Sequence, residues 1–250
     1  MRLTVLGSSG THPGPERACA SYLVEHDGYR LLVDCGNGSL SNLQRRSGLG
    51  DLDQILISHL HPDHFADLYG LYYALRFLPG GPGRVGVLGP AGSEAFITQL
   101  LAPESAATFS RHLPVTEARA GQVLALGPLQ VTLFAAAHPV ETLAARIEGG
   151  GAVLAYSADS GPTDSLIACA RGADLFLADC SWREADGPHP KGVHMTGAQA
   201  GRSAQAAGAA RLVCTHVYPA NDPEEVATEA RAVFDGDVAV AHDLDAWELP

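Results

Sequence analysis

The segment His59-Leu60-His61-Pro62-Asp63-His64 places four side chains with metal-binding groups within six positions. Imidazole nitrogens and carboxylate oxygens suit a borderline divalent cation such as zinc, and also manganese or iron. Residues two apart in an extended loop can point the same way, so His59 and His61 can chelate one ion. Asp63 and His64 then face a neighbouring position. The pattern favours a metal site over a group of surface histidines.

The elements on either side of this segment are expected to hold it in place. Gln54–Ile57 is predicted as a buried strand that leads directly to His59. From Phe65 to Leu78 the apolar residues have helical spacing, and Pro79-Gly80-Gly81 ends the helix. The segment is therefore predicted to be a short loop, anchored by a strand before it and a helix after it.

The rest of the chain consists of two strand-rich blocks with helices beside them. Further strands are predicted at Leu3–Leu6, Ser21–Glu25, Tyr29–Val33, Val85–Leu88, Leu129–Ala135, Leu143–Ile147, Val153–Tyr156, Leu175–Ala178, Leu212–Cys214 and Val238–Val240, and further helices at Leu40–Arg46, Ser93–Leu101, 163–171, 196–207 and 223–234. Two such blocks favour an α/β fold with two facing sheets covered by helices on the outside. We predict a single domain over residues 1–250.

Composition and charge limit the possible functions. Hydrophobic residues make up 46% of the chain and charged residues 18%, which indicates a globular protein rather than a disordered one. A net charge of −12 argues against long nucleic acids as partners, whereas a small anionic substrate held by metal cations remains compatible. Five cysteines without a C-x-x-C pair suggest buried, reduced thiols, and no signal peptide or membrane span is recognisable. We therefore expect a cytoplasmic protein.

The pattern H-x-H-x-D-H after a strand resembles the signature of the metallo-β-lactamase superfamily. Its αββα sandwich, with two facing mixed sheets and outer helices, agrees with the element order predicted above, and the resemblance covers essentially the whole chain. The ligands that it implies are His59, His61 and His138 for one divalent ion, Asp63, His64 and His216 for a second, and Asp159 as a bridge between them. It also implies that Asp34 buttresses the metal-binding loop, and that zinc is the first choice of metal, with Mn²⁺ or Fe²⁺ as alternatives.

Two ions about 3.5–4 Å apart can activate a water molecule and stabilise the charge that develops on an attacked phosphorus or carbonyl group. The His-x-His pair of the first site differs from the His-x-Glu pattern typical of the di-iron electron-transfer members of the family. A hydrolase is therefore favoured over an oxidoreductase.

The C-terminal part of the chain is similar to that of ribonuclease Z-like phosphodiesterases. His194-Met195-Thr196 stands where those enzymes carry a histidine close to the transferring phosphate, which acts as an electrophile or as the proton donor to the leaving oxygen. Asp179 stands in their His-Glu-Ala-Thr element, although its side chain is shorter and the histidine is missing. The resemblance thus implies His194 and Asp179 as an acid/base pair. Together with Asp63 they are the predicted catalytic residues.

One difference from ribonuclease Z narrows the range of expected substrates. That enzyme has a long arm that grips tRNA, and the arm is inserted between the ligands that match His138 and Asp159. Here only twenty residues separate these two ligands. In SADSG, Cys180-Ser181-Trp182 and HMTG the chain resembles short actinobacterial and related phosphodiesterases that hydrolyse cyclic nucleotides. A small anionic phosphodiester, in particular a 3′,5′-cyclic nucleotide, is the substrate that this resemblance implies.

Three other functions remain open from the sequence. These are RNA processing of the ribonuclease Z type, hydrolysis of thioesters, lactones or β-lactams on the same metals, and a non-catalytic metal or ligand sensor. Homodimers are common in the family, so a second copy of the chain is a possible partner. His12 lies in the first loop, which borders the active site in this fold, and its contact with substrate also remains open.

Overall fold

The computed structural model describes residues 1–250. The strands are β1 Arg2–Gly7, β2 Ser21–His26, β3 Tyr29–Val33, β4 Gln54–Leu56, β5 Gly86–Gly89, β6 Val115–Glu117, β7 Val123–Leu126, β8 Leu129–Ala135, β9 Leu143–Gly149, β10 Ala152–Tyr156, β11 Leu175–Asp179, β12 Arg211–Thr215, β13 Asp237–Val240 and β14 Ala246–Glu248. The α-helices are α1 Ser39–Leu43, α2 Pro62–Phe65, α3 Leu68–Arg76, α4 Ser93–Thr98, α5 Pro103–His112, α6 Asp164–Ala170, α7 Gly197–Ala207 and α8 Pro223–Arg231.

The strands form two seven-stranded mixed sheets. The first sheet has the order β14-β1-β2-β3-β4-β5-β6, and the second has the order β13-β12-β11-β10-β9-β8-β7. In the first sheet β3 to β6 are parallel, and in the second β10 to β13 are parallel. The remaining neighbours in both sheets are antiparallel. Each sheet thus joins a parallel half to an antiparallel half.

Three hydrophobic clusters hold the layers together. One cluster of 25 buried residues lies between the two sheets. A second, of 20 residues, packs α6, α7 and α8 against the second sheet, and a third, of 18 residues, packs α3 and its neighbouring helices against the first sheet. The layer order is therefore helix, sheet, sheet, helix, and the predicted αββα sandwich is confirmed.

Strand β11 illustrates why the sequence folds in this way. Its side chains alternate, so Leu175 and Leu177 enter the core between the sheets while Phe176 and Ala178 pack against the helices. A parallel strand covered on both faces has a continuous apolar sequence, and this one ends in a buried aspartate, Asp179. The strand thus places a carboxylate at one end of the sandwich.

Some predicted elements were wrong in detail. The single helix predicted from Phe65 to Leu78 is two helices, α2 and α3, because the Asp67 N–H donates to the Cys35 carbonyl instead of continuing the helical ladder. Helix α5 and strand β14 were not predicted. The buried positions of α5 include Ser105 and His112, so its sequence lacks an apolar stripe. Strand β14 has three residues and pairs with β1 from the other end of the chain.

None of the helices has both the length and the apolar character required to cross a lipid bilayer.

Candidate metal centre

The predicted site residues converge at one end of the sandwich, where strands of both sheets finish. Strands β3 and β4 are parallel, as are β10, β11 and β12, and β8 runs in the same direction as β10 because both are antiparallel to β9. The residues at or just after these strand ends are Asp34 (β3), His59 (β4), His138 (β8), Asp159 (β10), Asp179 (β11) and His216 (β12). Loops at the carboxyl ends of parallel strands are common positions for active sites.

The first cluster consists of His59, His61, His138 and Asp159. His61 Nδ1 lies 3.1 Å from His59 Nε2 and 3.1 Å from His138 Nε2. Asp159 Oδ2 lies 3.5 Å from His59 Nε2 and 3.8 Å from His138 Nε2. Four ligands about 2.0–2.1 Å from a tetrahedral metal ion would be about 3.3–3.4 Å from one another. The four atoms therefore have the spacing that one metal ion requires.

The second cluster consists of Asp63, His64, Asp159 and His216. His216 Nε2 lies 3.1 Å from His64 Nε2, 3.2 Å from Asp63 Oδ2 and 3.3 Å from Asp159 Oδ1. His64 Nε2 lies 3.2 Å from Asp159 Oδ1 and 3.6 Å from Asp63 Oδ2. All four residues are buried, and their spacing again suits a single ion.

Asp159 connects the two clusters, because its two oxygens face different groups. Oδ2 faces the first cluster and Oδ1 faces the second. Oδ1 is buried and has no hydrogen-bond partner in the protein. A buried carboxylate oxygen without a partner is costly, and a cation beside it would remove that cost. The donor set thus fits two divalent ions that share Asp159.

The second nitrogen of each buried imidazole is fixed by a hydrogen bond. His138 Nδ1 donates to the Val193 carbonyl at 2.8 Å, and His64 Nδ1 donates to Asp34 Oδ2 at 2.8 Å. Because Nδ1 carries a hydrogen in both rings, Nε2 is the nitrogen that is available to a cation, and it faces the cluster. The same arrangement is typical of histidines that bind metals.

Asp34 supports the ligands that follow β4, as the family resemblance implied. Its carboxylate also accepts from the Ser58 N–H at 2.7 Å, from the Ser58 hydroxyl at 2.8 Å and from the Tyr156 hydroxyl at 2.7 Å. Since the Ser58 hydroxyl donates to Asp34, its oxygen accepts from His59 Nδ1, 3.0 Å away. Asp34 thus orients His64 directly and His59 through Ser58.

Asp179 has the corresponding position in the second sheet. Its Oδ2 accepts from His194 Nδ1 at 2.8 Å, and its Oδ1 accepts from the Ser181 hydroxyl at 2.6 Å. The Ser181 oxygen is 2.9 Å from His216 Nδ1, from which it accepts. The structure therefore brings Asp179 and His194 together despite the shorter side chain, and it links the pair to His216.

The carboxylates give the second cluster a negative potential. Burial alone would lower the pKa of His216, but the Asp159 carboxylate and two further carboxylates raise this pKa to about 10. His64 is fully buried, and Asp159 and Asp34 nevertheless raise its pKa well above the ordinary value. Imidazoles whose pKa is raised in this way report an environment that favours cations.

His194 lies beside the two clusters described above, in a third group of potential ligand atoms that it forms with Asp159, Asp179 and His216. Its Nδ1 is 3.9 Å from Asp159 Oδ2, and its side chain is 13% exposed, so the ring is reachable from outside. Burial lowers its pKa, but the charge and hydrogen bond of Asp179 outweigh burial, and the net pKa is raised.

The predicted candidate His12 is not part of either cluster. It is exposed, its Nδ1 is 3.0 Å from the Pro13 carbonyl, and its ring packs edge-on against Tyr218. The first loop contributes a backbone group instead, because the Thr11 N–H donates to Asp63 Oδ2 at 2.8 Å. A backbone donor has no sequence signal, so sequence reasoning could not find it.

Sequence reasoning also missed Ser58, Ser181 and Tyr156. The only available signal was position: Ser58 precedes His59, and Ser181 follows Asp179 by two residues. A hydroxyl at these places becomes informative only when the partner across the fold is known.

The chain has clear relatives among known proteins. A family model described as "Beta-lactamase superfamily domain" matches residues 29–217. An uncharacterised protein of Mycobacterium leprae is 37% identical over 243 residues, covering 95% of this chain and 85% of the relative. The probable metallo-hydrolase YhfI of Bacillus subtilis is 34% identical over 251 residues, covering 99% of this chain and 100% of the relative. The ribonuclease Z of Haloferax volcanii is 27% identical over 306 residues, covering 100% of this chain and 95% of the relative.

The solved structures agree with the sequence comparison. The crystal structure of YhfI, described as a metallo-β-lactamase fold protein, superimposes with a TM-score of 0.88 at 32% identity and covers 99% of both chains.

Proposed function

This chain belongs to the β-lactamase superfamily, as a metallo-hydrolase, and from that premise we propose that it is a two-metal phosphodiesterase that cleaves small phosphodiesters such as 3′,5′-cyclic nucleotides. The observation that carries the proposal is the His194–Asp179 pair, which lies beside the shared carboxylate of Asp159. A metal cluster with an adjacent, reachable imidazole has the parts needed to expel an alkoxide from phosphorus.

The two clusters would hold one divalent ion each, with Asp159 between them. Zinc fits the imidazole and carboxylate donors, and manganese or iron fit them as well. Bound there, the ions supply Lewis-acid stabilisation of the phosphoryl oxygens and lower the pKa of bound water. The contribution of the protein is to fix the orientation of the ligands through Asp34, Ser58 and Ser181.

His194 is assigned as the proton donor to the leaving oxygen. Its Nδ1 hydrogen is committed to Asp179, so Nε2 is the atom that exchanges a proton with the substrate. Asp179 stabilises the charged form of the ring, which keeps a proton available for an alkoxide that leaves poorly without one. Asp63 serves as a ligand of the second cluster in this scheme, with its Oδ2 further held by the Thr11 N–H.

The relative from Haloferax volcanii supports a phosphodiester substrate, because the name ribonuclease Z denotes an enzyme that cleaves RNA. A smaller substrate is favoured here for two reasons. The chain between His138 and Asp159 is a plain hairpin, β9 and β10, joined at Gly150-Gly151. The net charge of −12 also opposes binding of a polynucleotide.

A substrate screen on the metal-reconstituted enzyme tests the proposal. The panel consists of 3′,5′-cyclic nucleotides, linear dinucleotides, pre-tRNA, and thioester, lactone and β-lactam substrates. We expect turnover of cyclic nucleotides above that of every other class. Turnover of pre-tRNA in preference would indicate RNA processing, and turnover of acyl substrates alone would exclude the phosphodiesterase. Metal binding without turnover of any class would indicate a sensor.

A further inference from the structure

A cavity of about 480 Å³ is bordered by His194, and its wall contains no residue of the two metal clusters. Its wall includes Trp182, His189, Lys191 and Gln199. Cavities of this size bind small molecules rather than duplex nucleic acid. Because His194 borders the cavity on one side and the clusters on the other, the cavity lies where the leaving part of a substrate would extend.

The aromatic part of this wall is flat and rigid. The Trp182 and His189 rings are stacked, with centroids 4.6 Å apart and planes inclined by 13°. His189 Nε2 is 2.7 Å from the Arg183 carbonyl, which fixes the ring. Trp182 also meets His194 edge-on, with centroids 5.0 Å apart. A planar heterocycle is the kind of group that such a surface accommodates.

The polar groups of the wall favour a ligand that is rich in hydrogen-bond acceptors. Lys191 is the only lysine of the chain, and its ammonium group makes no ion pair. The one carboxylate of the wall, Glu184, is already paired with Arg202 at 2.9 Å. The Gln199 carbonyl accepts from the Thr196 N–H, while its amide N–H₂ has no partner in the protein. In an acidic protein, this cavity therefore presents unpaired donors.

The loop that carries Lys191 is tied to the metal site. The Val193 carbonyl accepts from the first-cluster ligand His138, and His194 follows directly. Gly192 packs so closely on Gly161 that a Cβ on Gly161 would lie 2.9 Å from the Gly192 Cα. The cavity wall and the catalytic residue thus belong to one positioned loop.

We propose that this cavity is the subsite for the nucleoside of a mononucleotide phosphodiester, with the base against the Trp182–His189 wall and with Lys191 and Gln199 donating to its acceptor atoms. This inference rests on the proposed function and names the part of the substrate that determines specificity. It assigns roles to four residues that take no part in the metal clusters.

Ligand binding to the metal-reconstituted enzyme tests the subsite independently of turnover. The probes are 5′-AMP and 5′-GMP, with ribose 5-phosphate as the matched ligand that has a sugar phosphate but no base. The chain contains two tryptophans, so the Trp247→Phe variant leaves Trp182 as the only one. We expect both nucleotides, and not ribose 5-phosphate, to change its fluorescence with saturation.

Two variants test whether Lys191 and Gln199 donate to the base. Their affinities for the nucleotides and for ribose 5-phosphate are measured by calorimetry. Lys191→Met removes the charge, and Gln199→Glu removes the amide donor but keeps the oxygen that accepts from the Thr196 N–H. We expect each to weaken binding of at least one nucleotide by about tenfold and to leave ribose 5-phosphate unchanged. Arg84→Met, at an exposed position outside the cavity, is the control for loss of one positive charge.

Equal affinity for the nucleotides and ribose 5-phosphate, with constant Trp182 fluorescence, would overturn the subsite even if the enzyme hydrolyses phosphodiesters. Conversely, base-dependent binding without hydrolysis of any phosphodiester would support the subsite and contradict the proposed function.

Discussion

Two buried carboxylates, one in each half of the site, determine how the histidine rings point. Asp34 and Asp179 each bind one imidazole directly and reach a second through a serine hydroxyl. In both cases the serine donates to the carboxylate and accepts from Nδ1 of the ring, which leaves Nε2 as the nitrogen that faces the cluster. The sequence indicated the two aspartates, but the serines could not be predicted, because their function depends on contacts across the fold.

The serine at position 181 offers a test of this arrangement. Replacing Ser181 with alanine removes the acceptor for His216 Nδ1 and one donor to Asp179. We expect the affinity for one of two metal ions to fall by about 10–100-fold, as measured by competition with a fluorescent chelator. Ser203→Ala, a buried serine within α7, is the control. Equal metal affinity in both variants would remove Ser181 from the positioning of His216.

Removal of the imidazole at position 194 tests the assignment of the proton donor. His194→Ala should retain the metal content, because the two ligand sets that share Asp159 are complete without His194, whose Nδ1 is bonded to Asp179. The variant should lower turnover by about 10²–10⁴-fold. The measurements are elemental analysis and steady-state turnover on the same preparation. Unchanged turnover would exclude His194 as the proton donor.

At the scale of elements, the site is built where strands end and the backbone turns sharply. Asp34, Ala158 and His216 have φ of 58°, 51° and 55°, a left-handed conformation that residues other than glycine adopt at a cost of roughly 1–3 kcal/mol. The strands themselves were predictable from their apolar runs. These turns were not, because the conformation is imposed by the packing of the loops against one another.

The first loop shows how tight this packing is. A Cβ on Gly10 would lie 2.4 Å from the His216 carbonyl oxygen and 2.7 Å from its Nδ1. Gly10→Ala should therefore displace the loop that holds Asp63 through Thr11, and we expect the free energy of unfolding to fall by about 1–3 kcal/mol. Denaturant unfolding measures this change.

Gly14→Ala is the matched control in the same loop, because its Cβ would meet no atom closer than 3.4 Å. Its free energy of unfolding should change by no more than about 0.5 kcal/mol. Equal stability of the two variants would show that the first loop does not pack on His216 as described.

For the whole molecule, the net negative charge contrasts with a site that binds cations and presents unpaired hydrogen-bond donors. The chain carries a net charge of −12, while the unpaired donors and the cation-binding clusters lie at one end of the sandwich. Composition could predict the overall charge, and the element order could predict the layers. The cavity beside His194 could not be predicted, because most of its wall comes from the 183–195 segment, whose conformation depends on contacts with the rest of the fold.

Because of this charge distribution, we expect RNA to bind only weakly. At about 150 mM salt, where charges more than about 8 Å apart are screened, pre-tRNA should neither bind measurably nor inhibit hydrolysis of a cyclic nucleotide. A filter-binding titration, with hydrolysis measured in parallel, checks this expectation. Binding whose affinity falls steeply with salt would reveal a basic surface that the structure does not show.

We expect hydrolysis to depend on two divalent ions, one held by each of the two clusters. This dependence is measured by stripping the protein with a chelator and restoring one metal stepwise, with bound metal and cyclic-nucleotide turnover determined on each sample. We expect two ions per chain at saturation, turnover absent in the stripped protein and full turnover only near the second equivalent. Undiminished turnover in protein with fewer than one ion per chain would contradict the dependence of hydrolysis on two ions.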